Sequence, residues 1–427
     1  MTQTIPVTIL SGSLGAGKTT LLNQLLRNAG DRNIAVLVND MGDLNVDAEL
    51  VSANSDLSVG DGVAELSNGC ICCELQDDLE TAVTRLARNR DFDVLVVESS
   101  GISEPEPVAR LFTTGSRAAA LYEVDSLVTV LDSRLFYDAF GGEGVAERRG
   151  TDEDDSRPLS DLLVEQVEFA NVVLLNKADL VSEAEMAAVE EMVRALSPDA
   201  EILRTTESAV DPDRLFDRKL YDPATAAEMA GWRQALDADD ASDESRGHDG
   251  HDDHGHDGHS HDDHGHDGHD EHDGHDHRHP DEVYGVSSFT YRRRRPFHPG
   301  RFAALLSDLP SNVVRSKGTC WVAGRESPIV VGQAGPSVRA EAAGQWIASL
   351  PEVDQELYRA NRRDLAWDDE WGDRRTAFVV IGTDLDEEAT TATLDDCLLT
   401  DEEMDADWGA FENPFPRQGE ELVVTEP

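Results

Sequence analysis

Eight residues near the amino terminus have the types and spacing of a phosphate-binding loop. They fit the pattern G-x-x-x-x-G-K-[ST] and read Gly12-Ser13-Leu14-Gly15-Ala16-Gly17-Lys18-Thr19. Glycines let backbone N–H groups curl around phosphates, and a helix that begins here favours their charge. Lys18 can reach the β- and γ-phosphates, while the Thr19 hydroxyl can ligate Mg²⁺. The predicted nucleotide contacts in this segment are Gly12, Gly15, Ala16, Gly17, Lys18, Thr19 and Thr20.

A second polar segment, Asn176-Lys177-Ala178-Asp179, directly follows the apolar run Val172–Leu175. A carboxylate there can accept hydrogen bonds from N1–H and the 2-amino group of guanine, whereas adenine offers neither donor. Downstream of a phosphate-binding loop, the segment favours GTP over ATP and predicts Asn176, Lys177 and Asp179 as base contacts. Only four of the 36 basic residues are lysines, and Lys18 and Lys177 are two of them.

The apolar run Val94–Val97 ends in Glu98, followed by a small-residue turn that contains Gly101. An acid at a strand tip can hold Mg²⁺ directly or through water, and a glycine beyond it can approach the γ-phosphate. We therefore predict Lys18, Thr19 and Glu98 as catalytic residues, with Thr19 and Glu98 as magnesium ligands. The alternative is a buried strand with an ordinary acidic end.

Three of the five cysteines, Cys70, Cys72 and Cys73, lie within four residues. Thiolates bind soft or borderline metals such as Zn²⁺ and Cu⁺. Structural zinc sites usually have four protein ligands in more widely spaced pairs, so this cluster predicts an incomplete, exchangeable site. A redox-active cluster and buried packing cysteines are the alternatives. The isolated Cys320 and Cys397 are expected to be inert, and the odd count indicates reduced thiols.

A histidine-rich tract holds 13 of the 14 histidines, between residues 248 and 279. Its decapeptides 251–260 and 261–270 match at nine of ten positions. Neutral imidazoles on a polar chain chelate Zn²⁺, Ni²⁺, Co²⁺ and Cu²⁺, so the tract predicts low-specificity metal binding, the alternative being a neutral linker. The candidate ligands in the two repeats are His251, His254, His256, His259, His261, His264, His266 and His269.

The overall composition is strongly acidic, with 87 acidic against 36 basic residues in 427 and a formal net charge of −51. This charge argues against nucleic acid and anionic membranes as partners, because both would be repelled. It is typical of a halophilic protein, since concentrated salt screens self-repulsion. The absence of a long apolar run and of a basic leader in MTQTIPVTIL predicts a cytoplasmic protein.

Alternating apolar runs and helical segments must position these residues, and they predict an α/β fold. The expected architecture is a P-loop domain with a mostly parallel sheet, plus a smaller α/β C-terminal domain. The predicted divisions are a GTPase domain at 1–222, a linker with the tract at 223–283, a C-terminal domain at 284–395 and an acidic tail at 396–427. The first domain is predicted to contain strands at Ile5–Leu10, Ile34–Val38, Val94–Val97, Leu127–Leu131 and Val172–Leu175, and a helix at Thr20–Asn28.

The second domain is predicted to contain strands at Val286–Tyr291, Asn312–Val314, Trp321–Ala323, Ile329–Val331 and Ala377–Ile381, and a helix at Pro299–Leu309. His298, directly before that helix, is expected to cap it or to form another hydrogen bond. The basic run Arg292–Arg295 is expected to pair with carboxylates of the larger domain.

The motifs GSLGAGKTTLLN, GCICC, VVESSG and NKAD, in this order, resemble those of the CobW-type GTPases, a family of metallochaperone P-loop proteins. The resemblance continues in Arg295-Pro296-Phe297-His298-Pro299 and in Arg315-Ser316-Lys317-Gly318. It implies GTP and Mg²⁺ binding, zinc or a similar metal on the cysteine motif, and delivery to a client protein. The segment Asn39-Asp40-Met41-Gly42-Asp43, which corresponds to the switch segment of the family, departs from the family pattern at Asp40 and Asp43. The sequence therefore leaves open whether these two residues ligate metal.

The motifs and the resemblance together predict a GTP-hydrolysing metallochaperone for zinc, with Co²⁺ or Ni²⁺ as other candidate metals. One rival hypothesis is a cobalt-handling protein for cobalamin synthesis, and another is a passive metal store with a regulatory G domain. The sequence does not distinguish cobalt from zinc, because affinity follows the Irving–Williams order and not the motif. The identity of the client and the oligomeric state also stay open.

Overall fold

The computed structural model describes residues 4–39, 63–66, 73–89, 91–99, 101, 105–113, 116–141, 158–226, 229–236, 285–361 and 366–425. These residues form a seven-stranded sheet and a six-stranded sheet, the first parallel and the second antiparallel. The predicted fold class, a P-loop domain followed by a second α and β unit, is confirmed. No helix among the described residues has both the length and the apolar character needed to span a membrane.

The first sheet is built from short apolar runs that alternate with helices. Its strands are β1 (Ile5–Ser11), β2 (Ile34–Asn39), β3 (Val63–Leu66), β4 (Val94–Glu98), β5 (Tyr122–Asp132), β6 (Val172–Asn176) and β7 (Glu201–Arg204). The helices are α1 (Lys18–Arg27), α2 (Cys73–Asn89), α3 (Pro105–Thr113), α4 (Ser133–Phe140), α5 (Leu159–Glu168) and α6 (Glu183–Leu196). The strand order is β3-β2-β4-β1-β5-β6-β7. The predicted strands of this half are confirmed, each extended by one or more residues.

The parallel pairing brings several chain segments to one edge of this sheet. β1 lies between β4 and β5, with Leu10 in register with both Glu98 and Val128. β5 pairs with β6 so that Asp132 lies opposite Asn176. Because parallel strands end at the same edge, the segments that follow β1, β4, β5 and β6 meet there, where open α/β sheets bind ligands.

The second sheet follows the tract in the chain. Its strands are β8 (Val286–Arg293), β9 (Val313–Cys320), β10 (Ile329–Ala334), β11 (Ser337–Ala342), β12 (Thr376–Thr383) and β13 (Glu421–Thr425). The helices are α7 (Pro299–Leu306), α8 (Glu352–Asn361), α9 (Glu387–Asp395) and α10 (Asp401–Met404). The strand order is β13-β11-β10-β9-β12-β8. The predicted capping role of His298 is confirmed, because its Nδ1 accepts hydrogen bonds from the N–H groups of Gly300 and Arg301.

The two sheets share one hydrophobic cluster. Side chains of α4, α5 and α6, such as Phe136 and Val164, pack with Val314, Val379 and Ile381 of the second sheet. Two polar contacts fasten α5 at its ends. Ser337 donates to the Asp161 carboxylate at 2.8 Å, and Arg315 pairs with Glu168. The part of the chain with the first sheet and the part with the second sheet are therefore packed against each other through α5.

Two predictions about where the parts of the chain begin and end are wrong. Residues 396–425 do not form a detached acidic tail, because β13 pairs with β11 and Phe415 is buried. The linker also starts later than residue 223, since Trp232 packs against the shared cluster. In both places the chain is acidic in composition, yet an apolar side chain packs it against the folded part of the protein. The boundary at 283 stays a prediction, and the tract lies outside the described residues.

Two local predictions are also wrong. Trp321–Ala323 is not a strand: β9 ends at Cys320, and Val322 forms only an isolated bridge with Phe297. For two members of the arginine run, Arg293 and Arg295, the ion pairs that the structure describes are not with carboxylates of the larger domain. Arg293 pairs with Asp395 and Arg295 with Asp401, both in the carboxyl-terminal segment. These carboxylates belong to α9 and α10, which therefore lie beside the end of β8.

Candidate functional site

The glycine-rich loop lies between β1 and α1, as predicted. Lys18 extends back across the loop, and its Nζ donates to the carbonyl oxygens of Gly12 at 2.8 Å and Ser13 at 3.3 Å. Gly17, the residue before α1, has no side chain to cap the helix. The first-turn N–H groups and the ammonium group thus lie at the same loop, which suits a phosphate chain.

Gly17 is held by close contacts as well as by its backbone angle. Its φ is +116°, which L side chains rarely adopt. A Cβ atom there would lie 2.4 Å from Asn176 Nδ2 and 2.7 Å from Ser208 Oγ. The phosphate-binding loop is therefore packed directly against the segments that follow β6 and β7.

Asn176, at the end of β6, joins these three segments. Its Nδ2 donates to the Ala16 carbonyl at 2.7 Å. Its Oδ1 accepts from the Ser208 N–H at 2.8 Å and from the Thr205 hydroxyl at 3.2 Å. The side chain is buried and both of its polar atoms bond to the protein, so Asn176 positions the loops. Its predicted contact with the base stays a prediction, as do those of Lys177 and Asp179.

Lys177 and Asp179 differ in how they are held. Lys177 has φ +57°, and its Nζ lies 2.5 Å from the Asp132 carboxylate. Asp179 is exposed at the surface. It lies in the short helical turn Ala178–Leu180. The Asp179 carboxylate is therefore accessible to a ligand at the carboxyl edge of the sheet.

Glu98 and Gly101 lie where β4 reaches the phosphate-binding loop. Glu98 is 2% exposed and is the last residue of β4, beside β1. A Cβ on Gly101 would come within 3.0 Å of the Leu14 backbone nitrogen and 3.3 Å of Lys18 Nζ. A larger residue at this position would therefore be crowded against the phosphate-binding loop, and the predicted contact of Gly101 with the γ-phosphate stays a prediction.

The remaining predicted residues are placed differently. Gly15 has φ +78° within the loop, and Thr20 is exposed on α1. Cys73 is the first residue of α2. Cys70, Cys72, Asp40, Asp43 and the tract histidines lie outside the described residues. Among the residues that are described, no group of three or more histidine, cysteine and acidic side chains is arranged to hold a metal ion.

The two isolated cysteines are buried. Burial raises the pKa of the Cys320 thiol far above its usual range, and it also raises that of Cys397. Thiols held protonated in this way are poor nucleophiles and poor metal ligands. Their expected inertness is consistent with these surroundings.

Sequence reasoning missed two parts of the site. One is Asp132, which pairs with Lys177 and marks the end of β5. The other is the loop after β7, where Glu207 and Ser208 both have positive φ. The Glu207 carbonyl also accepts from the side chain of Gln24. The position of Asp132, an acid at the end of a predicted strand, could have marked it as a candidate site residue. Nothing in the residue types of 205–208 predicts positive φ angles there.

Known proteins show similarity along both halves of the chain. Residues 6–204 match the CobW/HypB/UreG nucleotide-binding domain, and residues 286–398 match the cobalamin synthesis protein cobW C-terminal domain. The zinc-regulated GTPase metalloprotein activator 1 of Dictyostelium discoideum is 35% identical over 432 residues, covering 94% of this chain and 81% of that protein. The zinc chaperone CobW of Pseudomonas aeruginosa is 37% identical over 206 residues, which cover 46% of this chain and 55% of that protein.

A solved structure also aligns with most of the chain. The Zn(II)-bound YjiA GTPase from E. coli has a TM-score of 0.39 and 19% sequence identity, and the alignment covers 93% of this chain and 100% of that one.

Proposed function

The chain belongs to the CobW family of P-loop GTPases, and from this membership and the site we propose that it is a metallochaperone that hydrolyses GTP, binds zinc and delivers it to a client protein. The observation that supports this most is the junction at Asn176. The buried Asn176 side chain connects three segments: the phosphate-binding loop, the predicted base-recognition segment at 176–179 and the loop after β7. A nucleotide bound at this edge would contact elements from several parts of the domain.

The phosphates bind on the backbone N–H groups of the loop, with Lys18 on the β- and γ-phosphates. Thr19 and Glu98 offer a hydroxyl and a carboxylate, hard oxygen ligands that fit Mg²⁺. When bound there, Mg²⁺ would supply positive charge against the phosphates, and Thr19 and Glu98 would hold it. Asp179 accepts hydrogen bonds from guanine, while the Lys177 side chain is held by the Asp132 carboxylate. Gly101 brings the backbone after β4 close to Leu14 and Lys18 of the phosphate-binding loop.

The metal is the cargo, and its proposed ligands are Cys70, Cys72 and Cys73. The cysteine motif leads into α2, whose Leu79 and Val83 are anchored in the core. The next strand after α2 is β4, which ends at Glu98. A change at the γ-phosphate is thus separated from the cysteine motif by one helix and one strand, which gives a short route for coupling GTP hydrolysis to metal release.

We expect the triple substitution of Cys70, Cys72 and Cys73 by serine to abolish tight zinc binding, because serine hydroxyls are poor zinc ligands. Titration against a competing chelator measures this, with about one tightly held ion per wild-type chain. Cys397→Ser is the matched control, since that cysteine lies apart from the motif. Equal tight binding by the triple variant and wild type would contradict the cysteine assignment.

Deleting residues 248–279 distinguishes a chaperone from a passive store. In a chaperone, the deletion removes weakly bound metal, while the tight zinc site and GTP hydrolysis persist. Equilibrium dialysis with Zn²⁺, together with phosphate release from GTP, measures both quantities. Loss of nearly all zinc binding would instead favour a store whose sink is the tract.

Cobalt handling for cobalamin synthesis is the second candidate function, and nickel is a further candidate metal. Imidazole and thiolate ligands accept all of these ions, so the protein environment and metal supply decide between them. The client is a metalloprotein, consistent with the names of the relatives. The acidic composition suits a cytoplasm of high salt, in which the −51 charge is screened.

A further inference from the structure

The two carboxylate oxygens of Asp132 contact different elements of the candidate site, the helix α4 and the segment that follows β6. Its Oδ1 accepts from the N–H groups of Arg134 and Leu135, each at 3.1 Å, and so caps α4. Its Oδ2 pairs with Lys177 Nζ at 2.5 Å. The Asp132 side chain is 14% exposed, which limits competition from water. One carboxylate on a fixed strand end thus sets the position of the lysine in the base-recognition segment.

The backbone of that segment is held from two further directions. The Ser133 hydroxyl donates to the Asn176 carbonyl at 2.8 Å, and the Ala178 N–H donates to the Thr205 carbonyl at 3.1 Å. Lys177 lies between them in the left-handed region, a conformation that persists only where the surroundings enforce it. The direction in which its side chain leaves the backbone is therefore fixed.

The position of this ammonium group matters for Asp179, two residues further along. Asp179 is exposed, and its carboxylate accepts no side-chain hydrogen bond or ion pair within the described ranges. A lysine side chain released from Asp132 is long and flexible enough to turn towards this nearby carboxylate. Pairing of that kind would occupy the oxygens that guanine needs.

We propose that Asp132 is a specificity-determining positioning residue: by holding the Lys177 ammonium, it keeps the Asp179 carboxylate available to the N1–H and 2-amino groups of guanine. This inference rests on the proposed guanine-nucleotide site. It assigns to β5 a part in base selection, in addition to the segment after β6.

Comparison of GDP with IDP tests this role, because IDP has the same phosphates and N1–H but lacks the 2-amino group. In the wild type, GDP is expected to bind more tightly than IDP. In Asp132→Asn, the freed ammonium competes for Asp179, and the ratio of IDP to GDP dissociation constants is expected to fall about tenfold, towards equality. Displacement of a fluorescent GDP analogue measures both constants.

A second variant separates positioning from general loosening of the fold. In Asp132→Asn combined with Lys177→Met, no ammonium is present to occupy Asp179, so the preference for GDP is expected to return. Loosening would weaken GDP and IDP alike and would persist in the double variant. Asp138→Asn is the matched control, because Asp138 lies on α4, the helix that Asp132 caps, and pairs with Arg134.

Two results would overturn the proposal: an unchanged ratio in Asp132→Asn, or a double variant in which the ratio stays low. Failure of the proposed function would look different. In that case the wild type itself would show no preference for GDP over IDP or ADP.

Discussion

Substituting Lys18 by alanine is expected to lower the rate of GTP hydrolysis by about 10²–10³-fold, the range typical for losing one preorganised group that stabilises transition-state charge. Lys18 is the only cation within the glycine-rich loop, and its side chain already lies across that loop in contact with two of its carbonyl oxygens. Alanine removes the charge that the β- and γ-phosphates would meet. Single-turnover phosphate release with GTP in excess of its dissociation constant measures the chemical step.

Lys219→Ala is the control for this prediction. Lys219 is another of the four lysines, and its side chain is exposed. Its backbone N–H donates to the Asp125 carboxylate near the amino end of β5, away from the carboxyl edge. Its loss should leave the rate unchanged. A thermal unfolding curve for each variant separates a catalytic defect from an unfolded protein. A Lys18→Ala variant that folds and hydrolyses GTP at the wild-type rate would refute the enzymatic half of the proposed function.

Substituting Arg315 by alanine is expected to destabilise the protein by about 3–5 kcal/mol, the usual cost of leaving one partner of a buried ion pair alone. Arg315 donates to Glu168 through Nε at 2.8 Å and Nη2 at 3.1 Å. The two side chains are only 4% and 1% exposed, so water cannot replace the lost partner. Denaturant unfolding followed by circular dichroism measures the loss as a lower midpoint.

Two further variants test the cause of that loss. Arg204→Ala removes an arginine that pairs with Glu183 and Glu190 at the surface, and it should cost about 1 kcal/mol or less. Replacing Arg315 and Glu168 together by methionine and leucine should recover much of the stability, because no buried charge is then unpaired. If Arg315→Ala costs no more than Arg204→Ala, the pair does not fasten the two sheets as inferred.

Much of the first half could be predicted from residue types and their spacing. Apolar runs such as Val94–Val97 and Val172–Leu175 are short, continuous and followed by polar turns, which is typical of buried parallel strands. The glycine-rich loop and the NKAD segment have few alternative functions once each follows such a strand. The second half was less readable, because its sheet is antiparallel and its edge strand β13 comes from an acidic stretch that looked like a tail.

The outcome at Asn176 shows where motif reasoning stops. The motif correctly marks a residue at the end of β6, but its side chain bonds to Ala16, 160 residues earlier in the chain. The same holds for the arginine run, in which Arg293 pairs with Asp395 and Arg295 with Asp401. Both results depend on which strands are neighbours, and hydrophobic periodicity does not specify that order.

Residue identity alone predicted a nucleotide site and a thiolate metal site, because phosphate loops and thiolate clusters need particular atoms at short spacing. The folded arrangement settled which of these residues work together. Asp132 with Lys177 and Arg315 with Glu168 lie 45 and 147 residues apart. Contacts over such separations are set by strand order, register and the packing of α5 between the sheets, and local spacing carries no information about them.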